Sequence, residues 1–256
     1  LLSVQYGENV LKETNSFELV IEKEEDLAGL PETLVTGAAE AAEERGHAGM
    51  WVFTLHRPSI NPFLQYSEKR ELREKIFKGY INRGNNDNEL DNKANAAKIA
   101  ALRVKRANLL GFATHAHYVL EENMAKNPEG VYDLLNRLWA PSLVRAKDEA
   151  KALQEMIDRE GGDFKLAAWD WRYYAEKLRK EKYALDDALL RPYFELNNVI
   201  QGAVTVANKL YGITLEERTD IPIYHEDVKV FEVKEADGSH IGILYTDYFP
   251  RASKRG

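Results

Sequence analysis

The sequence predicts a mainly α fold with a small amount of β structure towards its C-terminal end. Apolar residues recur at steps of three, four and seven through most of the chain as far as Tyr211, which places them on single helix faces. Strict alternation is confined to residues 240–246, where Ile241, Ile243 and Tyr245 share one face and Gly242, Leu244 and Thr246 the other. The run 228–234 is rich in Val and Phe, and the turn residues Ala236-Asp237-Gly238-Ser239 separate it from the alternating segment, so the two read as a hairpin.

Taken in order, residues 2–11 form the first predicted helix, with Leu2, Tyr6 and Val10 at four-residue spacing. Residues 17–21 are too short to assign between a buried strand and an extended link. Pro31 stands where a helix begins, the alanine-rich run 38–42 continues it, and Gly46 and Gly49 end it. Residues 50–55 are a further strand candidate, closed by Pro58. Ser67 is the expected N-cap of a helix with the stripe Leu72, Ile76, Tyr80 and Ile81, although Arg70 stands where a capping box wants an acid. Residues 83–88 are a loop by composition. A long helix is expected over 91–124, with Ile99, Leu102, Leu109, Ala113, Ala116, Leu120 and Met124 on its stripe; Asn127-Pro128 breaks it. The next helix runs over 128–158 with Leu134, Leu138, Leu153 and Ile157 inward and Pro141 as a point of interruption. Gly161-Gly162 is the clearest boundary, dividing the chain into 1–160 and 161–256. Helices over 169–182 and 192–211 complete the α part, and Gly212 is placed to cap the second. Gly238 and Gly242 suggest that another backbone or a ligand approaches the returning strand closely.

A chain of 256 residues, 44% hydrophobic and 30% charged, is globular and can bury a sizeable core. A net charge of −7 argues against nucleic acid or an anionic membrane as the main partner. Without cysteine there are no disulfides, thiolate metal sites or cysteine nucleophiles. No apolar run approaches the ~20 residues of a membrane span. The chain starts at Leu1 without Met and leaves the compartment open: the cytoplasm is favoured, and a removed leader or a lipid anchor is compatible with it.

Catalytic candidates are few. His115 and His117 form the closest histidine pair, but on a helix positions i and i+2 point ~200° apart and do not share one ion. His225-Glu226-Asp227-Val228-Lys229 begins like HExxH and fails at the fifth position, where zinc needs a second imidazole one turn later. There is no GxxxxGK[ST], GxGxxG or GxSxG pattern. The acid pairs Asp186-Asp187, Glu216-Glu217 and Glu226-Asp227 are more simply solvated surface than acid–base couples. The aromatic run 169–174 suits burial better than ligand stacking. Arg251, Lys254 and Arg255 are either a solvated basic end or partners for Asp247 and for acids elsewhere.

Several segments, in this order and at these spacings, resemble the thimet oligopeptidase and peptidyl-dipeptidase family of zinc metallopeptidases. Residues 17–21 leading into Leu27-Ala28-Gly29-Leu30-Pro31 are similar to that family's L-x-GLP segment. Thr54-Leu55-His56-Arg57-Pro58-Ser59-Ile60 with Arg70-Glu71-Leu72-Arg73-Glu74 resembles its PSx … RELRE region, and Asp91-Asn92 with Leu102-Arg103, Ala107 and Leu109-Leu110-Gly111-Phe112 its DN … LR … A-x-LLGY helix. Trp169-Asp170, Tyr173-Tyr174, Arg191-Pro192-Tyr193-Phe194 and Leu210-Tyr211-Gly212-Ile213 follow the later helices. His225, Asp227-Val228, Asp237-Gly238, Gly242, Asp247, Arg251 and Lys254 follow the run into the catalytic core. The segment 121–128 is similar to the MAKxP segment of the peptidyl-dipeptidase branch.

The resemblance implies a helical, zincin-like oligopeptidase with a deep channel. Its zinc would be held by an HExxH helix and a later Glu, none of which has a counterpart among these residues. On that reading the chain is a middle fragment of an enzyme that hydrolyses short peptides, releasing C-terminal dipeptides. Residues 1–160 would supply one channel wall, and 161–256 would lead into a catalytic core that the chain lacks. Zinc belongs to the full-length enzyme and none to this chain, which is expected to be inactive alone. Channel or core-support candidates are His225, Asp227, Tyr245, Asp247, Arg251 and Lys254. Glu226, where the family usually has Pro, is a departure. The alternative is a non-catalytic helical binding or scaffold module. In either case the hairpin, stripped of neighbours, is expected to be exposed or to drive self-association.

Overall fold

The computed structural model describes residues 1–184 and 187–254. They form two compact units, 1–182 and 183–254, and the fold is mainly α, as the periodicity predicts. The first unit contains α1 (Leu2–Ser16), β1 (Leu19–Ile21), α2 (Glu32–Glu44), β2 (Trp51–Phe53), α3 (Arg57–Tyr66), α4 (Arg70–Ile81), α5 (Lys93–Leu109), α6 (His115–Leu120), α7 (Pro128–Arg159) and nearly all of α8 (Trp171–Tyr183). The second contains α9 (Asp187–Leu190), α10 (Leu196–Tyr211), β3 (Thr214–Arg218), β4 (Lys229–Lys234) and β5 (His240–Thr246).

The ambiguous segment 17–21 is a strand. β1 pairs antiparallel with β2, Leu19 opposite Phe53 and Ile21 opposite Trp51. A two-strand ribbon is marginal alone. This one persists because Leu19, Ile21 and Phe53 bury in one cluster with Ile60 and Phe63 of α3 and Ile76 of α4. α3 has no counterpart in the sequence reading, because Pro58 looked like the end of a strand. It lies in the first turn of the helix, where a missing N–H costs nothing. Ser67 does not open α4 but closes α3, donating its N–H to the Phe63 carbonyl at 3.0 Å. Gly29, at φ +84°, passes the Tyr66 carbonyl so closely that a Cβ would meet that oxygen at 2.3 Å.

A second cluster packs Leu153, Met156 and Ile157 of α7 with Tyr174 of α8, Phe164 and Leu166. Asp170 ties the two clusters together. Its side chain is 0% exposed. It accepts from Arg70 Nε at 3.1 Å and Nη2 at 2.9 Å, from Arg73 Nη2 at 2.9 Å and from the Ala167 N–H at 3.1 Å. Arg70 and Arg73 stand three residues apart on α4, so both reach the same carboxylate. Each guanidinium also covers an aromatic ring, Arg70 over Phe164 and Arg73 over Tyr173, both at 4.2 Å. Arg73 is itself buried and gives its remaining terminal nitrogen to the Ser67 carbonyl at 2.7 Å.

α1 turns polar residues inward: Asn9, Glu13 and Thr14 are buried, while Tyr6 is exposed. The Glu13 carboxylate accepts from the Gly84 N–H, from Asn86 Nδ2 at 2.9 Å and from Asn88 Nδ2 at 2.8 Å. Burial pushes its pKa up, but the hydrogen bonds from Asn86, Gly84 and Asn88 outweigh that and hold it below the usual value. Asn9 donates to Asn92 at 3.1 Å, which fixes the far end of the same loop.

Other expectations are corrected. The helix foreseen over 91–124 is two helices: α5 ends at Leu109, and Thr114 caps α6 by accepting from the His117 N–H at 3.3 Å. Leu102, Leu109 and Met124 are exposed rather than inward, and so is Ile81. α7 runs unbroken through Pro141; Leu153 and Ile157 face the core, but Leu134 and Leu138 face solvent. In the second unit Gly212 caps α10 at φ +74°, as expected. β3 is unforeseen because Thr-Leu-Glu-Glu-Arg has no strand-like apolar alternation. A Cβ at Gly238 or Gly242 would meet nothing within 4 Å among the described residues, so no close approach explains those glycines. The Asp186-Asp187 side chains and Arg255 lie outside the described residues.

Asp170→Ala leaves a buried guanidinium without its carboxylate and should cost about 3–5 kcal/mol in urea unfolding of the chain. Arg70→Ala should cost less, because Arg70 is partly exposed. Glu13 titrates below its unfolded value of 4.5, so its contribution is complete above that pH and is lost as pH falls through the lower folded value. Glu13→Gln should therefore flatten the acid limb of a stability-against-pH curve; an unchanged limb would rule out this role.

Candidate functional site

The sequence candidates fall in the second unit, in the loop before β4, on β5 and after it. The strand order is β3-β4-β5, antiparallel throughout, with Val230 opposite Tyr245 and Phe231 opposite Leu244. β4 is central and carries the buried Val230 and Phe231, with Val228 just before it. The polar strand β3 is held across the ladder by charge. Glu216 pairs with Lys234 at 2.5 Å, Glu217 with Lys229 at 3.6 Å and Arg218 with Glu232 at 2.6 Å. Those pairings are the local use of the Glu216-Glu217 acids. Glu232 also meets His240 Nδ1 at 3.0 Å, and hydrogen bonds from His240 and Arg218 lower its pKa.

After β5 the chain folds back on Asp247. Its carboxylate accepts from Arg251 at 2.9 and 2.7 Å, and from the Tyr224 hydroxyl at 3.0 Å, and lies 3.1 Å from Lys254 Nζ. Lys254 also donates to the Asp247 carbonyl at 2.6 Å and to the Phe249 carbonyl at 3.2 Å, closing the turn. The Arg251 hydrogen bonds, with those from Lys254 and Tyr224, hold the Asp247 carboxyl far below its usual range. The same contact raises the pKa of Tyr224. The Tyr224 and Tyr245 rings stack with centroids 6.4 Å apart, and the Tyr245 hydroxyl donates to the Pro222 carbonyl at 3.2 Å. Pro222, Ile223, Tyr224 and Tyr245 line a shallow apolar concavity beside this cluster.

The structure thus brings Tyr245, Asp247, Arg251 and Lys254 into one neighbourhood and adds Tyr224, which sequence reasoning missed. Positions 224 and 247 lie in the loop before β4 and just after β5, and no local spacing signals that they meet. His225 and Asp227 stand apart as a tight turn, in which the Asp227 N–H donates to His225 Nδ1 at 3.3 Å. The helix that an HExxH motif needs is not formed there, since the segment leads directly into β4.

Zinc is held by convergent His, Cys, Asp or Glu side chains. Among the described residues no three of them converge. Five of the six histidines are committed elsewhere: His47 to Glu18, His56 to Thr54 and Asn15, His117 to Thr114, His225 to Asp227 and His240 to Glu232. The described residues therefore offer no convergent donor set for zinc. No helix among the described residues is long and apolar enough to cross a membrane.

Comparison with known proteins shows similarity along the whole chain. Residues 63–256 match the profile of peptidase family M3. The dipeptidyl carboxypeptidase of Escherichia coli K12 is 37% identical over 256 residues, covering 100% of this chain and 38% of the relative. Oligopeptidase A of Haemophilus influenzae is 37% identical over 259 residues, with the same two shares. Organellar oligopeptidase A of Arabidopsis thaliana is 33% identical, and the chain covers 33% of it. The chain therefore spans 33–38% of the length of these three relatives.

Asp247→Ala should release Arg251 and Lys254 together. Backbone amide exchange across 248–254 is expected to rise at least tenfold, while the unfolding of the first unit stays unchanged. Unaltered exchange would show that the carboxylate does not hold the turn.

Proposed function

The chain belongs to peptidase family M3, and from that membership we propose that it is part of a zinc-dependent metallopeptidase that removes dipeptides from the C-terminus of short peptides. The observation that carries this reading is the alignment with a dipeptidyl carboxypeptidase at 37% identity, along all of this chain and 38% of the relative. The 121–128 segment, similar to the peptidyl-dipeptidase branch, supports it. Zinc would act in the complete enzyme as Lewis acid and as activator of the attacking water. Its ligands would come from polypeptide outside these residues, since the described side chains offer no convergent set. In this reading residues 1–160 contribute a channel wall and 161–256 the approach to the catalytic core. Tyr245, Asp247, Arg251 and Lys254 would hold that approach rigid, with His225 and Asp227 shaping its entry.

The test uses two proteins: the isolated chain, and a chimera in which it replaces the matched segment of the E. coli dipeptidyl carboxypeptidase. The chimera should release C-terminal dipeptides from an N-blocked peptide, lose that activity with a chelator, and leave a C-terminally amidated peptide intact. The isolated chain should cleave neither peptide and should show no stoichiometric submicromolar zinc site by titration calorimetry. Chelator-sensitive cleavage by a mass-verified isolated chain would overturn the assignment of the catalytic machinery to other polypeptide.

A further inference from the structure

We propose that α1 is an acid-releasable latch, docked on the rest of the first unit through a polar face. Protonation near its C-terminal end, first of His56 and then of Glu13, undocks it while the two apolar clusters stay folded. α1 turns Asn9, Glu13 and Thr14 inward. Among the described residues, no side chain of α1 belongs to either cluster. What holds the helix is a row of hydrogen bonds. Asn95 Nδ2 donates to the Leu2 carbonyl at 3.1 Å, and Asn92 Nδ2 to the Tyr6 carbonyl at 3.0 Å. At the other end Arg83 Nη1 donates to Thr14 Oγ1 at 2.9 Å, and Arg45 Nη1 to the Asn15 carbonyl at 3.1 Å. Apolar burial carries no protonation state, whereas hydrogen bonds to titratable groups do.

His56, just ahead of α3, meets Asn15 Oδ1 through Nε2 and Thr54 Oγ1 through Nδ1, both at 3.1 Å. An amide oxygen only accepts, so Nε2 carries the hydrogen and Nδ1 accepts from the Thr54 hydroxyl. A second proton, on Nδ1, would face a hydroxyl already aimed at it. Reversing that hydroxyl strands its hydrogen, because Thr54 is buried and its Oγ1 has no other hydrogen-bond partner among the described residues. The surrounding charges oppose protonation as well. Burial of the ring, then Arg45 at the end of α2 and Arg83 after α4, hold the His56 pKa below 6.5. Arg57, next to it on α3, is a further cation, exposed to solvent. The carboxylate beside Arg45 is Glu18, which is taken up by Arg45 at 2.9 Å and by His47 at 3.0 Å.

Glu13 supplies the second proton site, on α1 itself. Burial opposes its charge, and so does Asp91, but hydrogen bonds from Asn86, Gly84 and Asn88 prevail, and it titrates below 4.5. Both groups therefore bind a proton less tightly when α1 is docked than when it is free, so release of the helix takes up protons. Each proton taken up multiplies the release equilibrium by up to about tenfold per pH unit. The His56 contribution is complete above 6.5 and is lost as pH falls through its lower docked value. The Glu13 contribution is lost in the same way below 4.5. Docking thus weakens in two steps, set by two residues that no apolar contact replaces.

The experiment follows the chain by NMR from pH 7.5 to pH 3.5, reading the His56 ring and the backbone amide protection factors together. The ring is expected to titrate below 6.5. Protection over residues 6–16 should fall at least about threefold between pH 7 and 5.5, and again between pH 5 and 3.5. Protection at Leu19, Phe53 and Ile76 should hold through the first step. Loss at α1 and at these three residues together would overturn the proposal, and so would a ring that titrates at or above 6.5. His56→Gln keeps an N–H donor for Asn15 and carries no charge, so it should abolish the first step and keep the second; a first step that persists in it overturns the proposal. If His56→Gln leaves α1 undocked at pH 7, the unsubstituted chain decides. α1 amide shifts that share the midpoint of the His56 ring support the proposal, and a different midpoint overturns it. Glu13→Gln should remove the second step alone, and a second step that survives it overturns the role of that carboxylate.

Discussion

The first unit depends on one buried carboxylate. Asp170 sits between Trp169, which packs on the cluster around Phe53 and Phe63, and Tyr173 and Tyr174, which pack on the cluster around Ile157. Apolar contact alone would not fix the angle between these two small cores, because burial is non-directional. The two arginines of α4 are directional. Arg70 approaches through Nε and Nη2 and Arg73 through Nη2, so α4 and the start of α8 take one relative orientation. The cation–π contacts to Phe164 and Tyr173 extend the same pair of guanidinium groups into the second cluster. The desolvation of three charged groups is offset by hydrogen bonds to both carboxylate oxygens.

The family segments thereby acquire physical reasons. Arg-Glu-Leu-Arg-Glu and Trp-Asp, one hundred residues apart, are the two halves of one ionic hub. The Gly of Gly-Leu-Pro is the place where the chain grazes the Tyr66 carbonyl at a positive φ. Asp91-Asn92 begins α5 and secures the preceding loop: Asp91 accepts the Lys93 N–H at 2.8 Å, and Asn92 donates to the Tyr6 carbonyl at 3.0 Å. None of these roles is chemistry on a substrate. They set the positions of helices, which gives those segments a structural reason for their residue types and spacing.

Much of the fold was legible before the structure, and the failures share causes. Helix identity was legible for α2, α4, α7 and α10 because period and punctuation agree there, and Gly212 shows such punctuation directly. The hairpin of β4 and β5 was legible from its turn residues. α3 was hidden by Pro58, and the break between α5 and α6 by an apolar row that continues in phase across it. β3 was hidden because its stabilisation is ionic and cross-strand, a partnership invisible until the partner strand is in place. The Asp247 cluster was half legible, since Arg251 and Lys254 lie within one or two turns of the acid in sequence. Tyr224 reaches it only through the sheet.

What periodicity never contained is occupancy. A spacing of three and four shows which residues share a helix face; it does not show whether anything lies against that face. α5 and the first half of α7 have well-formed apolar rows and almost no burial, with Ala107 the one buried residue of α5. Only at its C-terminal end does α7 meet the core, where Leu153, Met156 and Ile157 pack with Tyr174. The same helix thus shows both conditions along its length, with one pattern of residue types throughout. Burial is a property of the pair of surfaces, and a sequence describes one of them. That is why helix identity was read correctly at Leu134 and Leu138 while their inward orientation was not. Where a row is apolar and uncovered, its period identifies the helix face and leaves the partner unspecified.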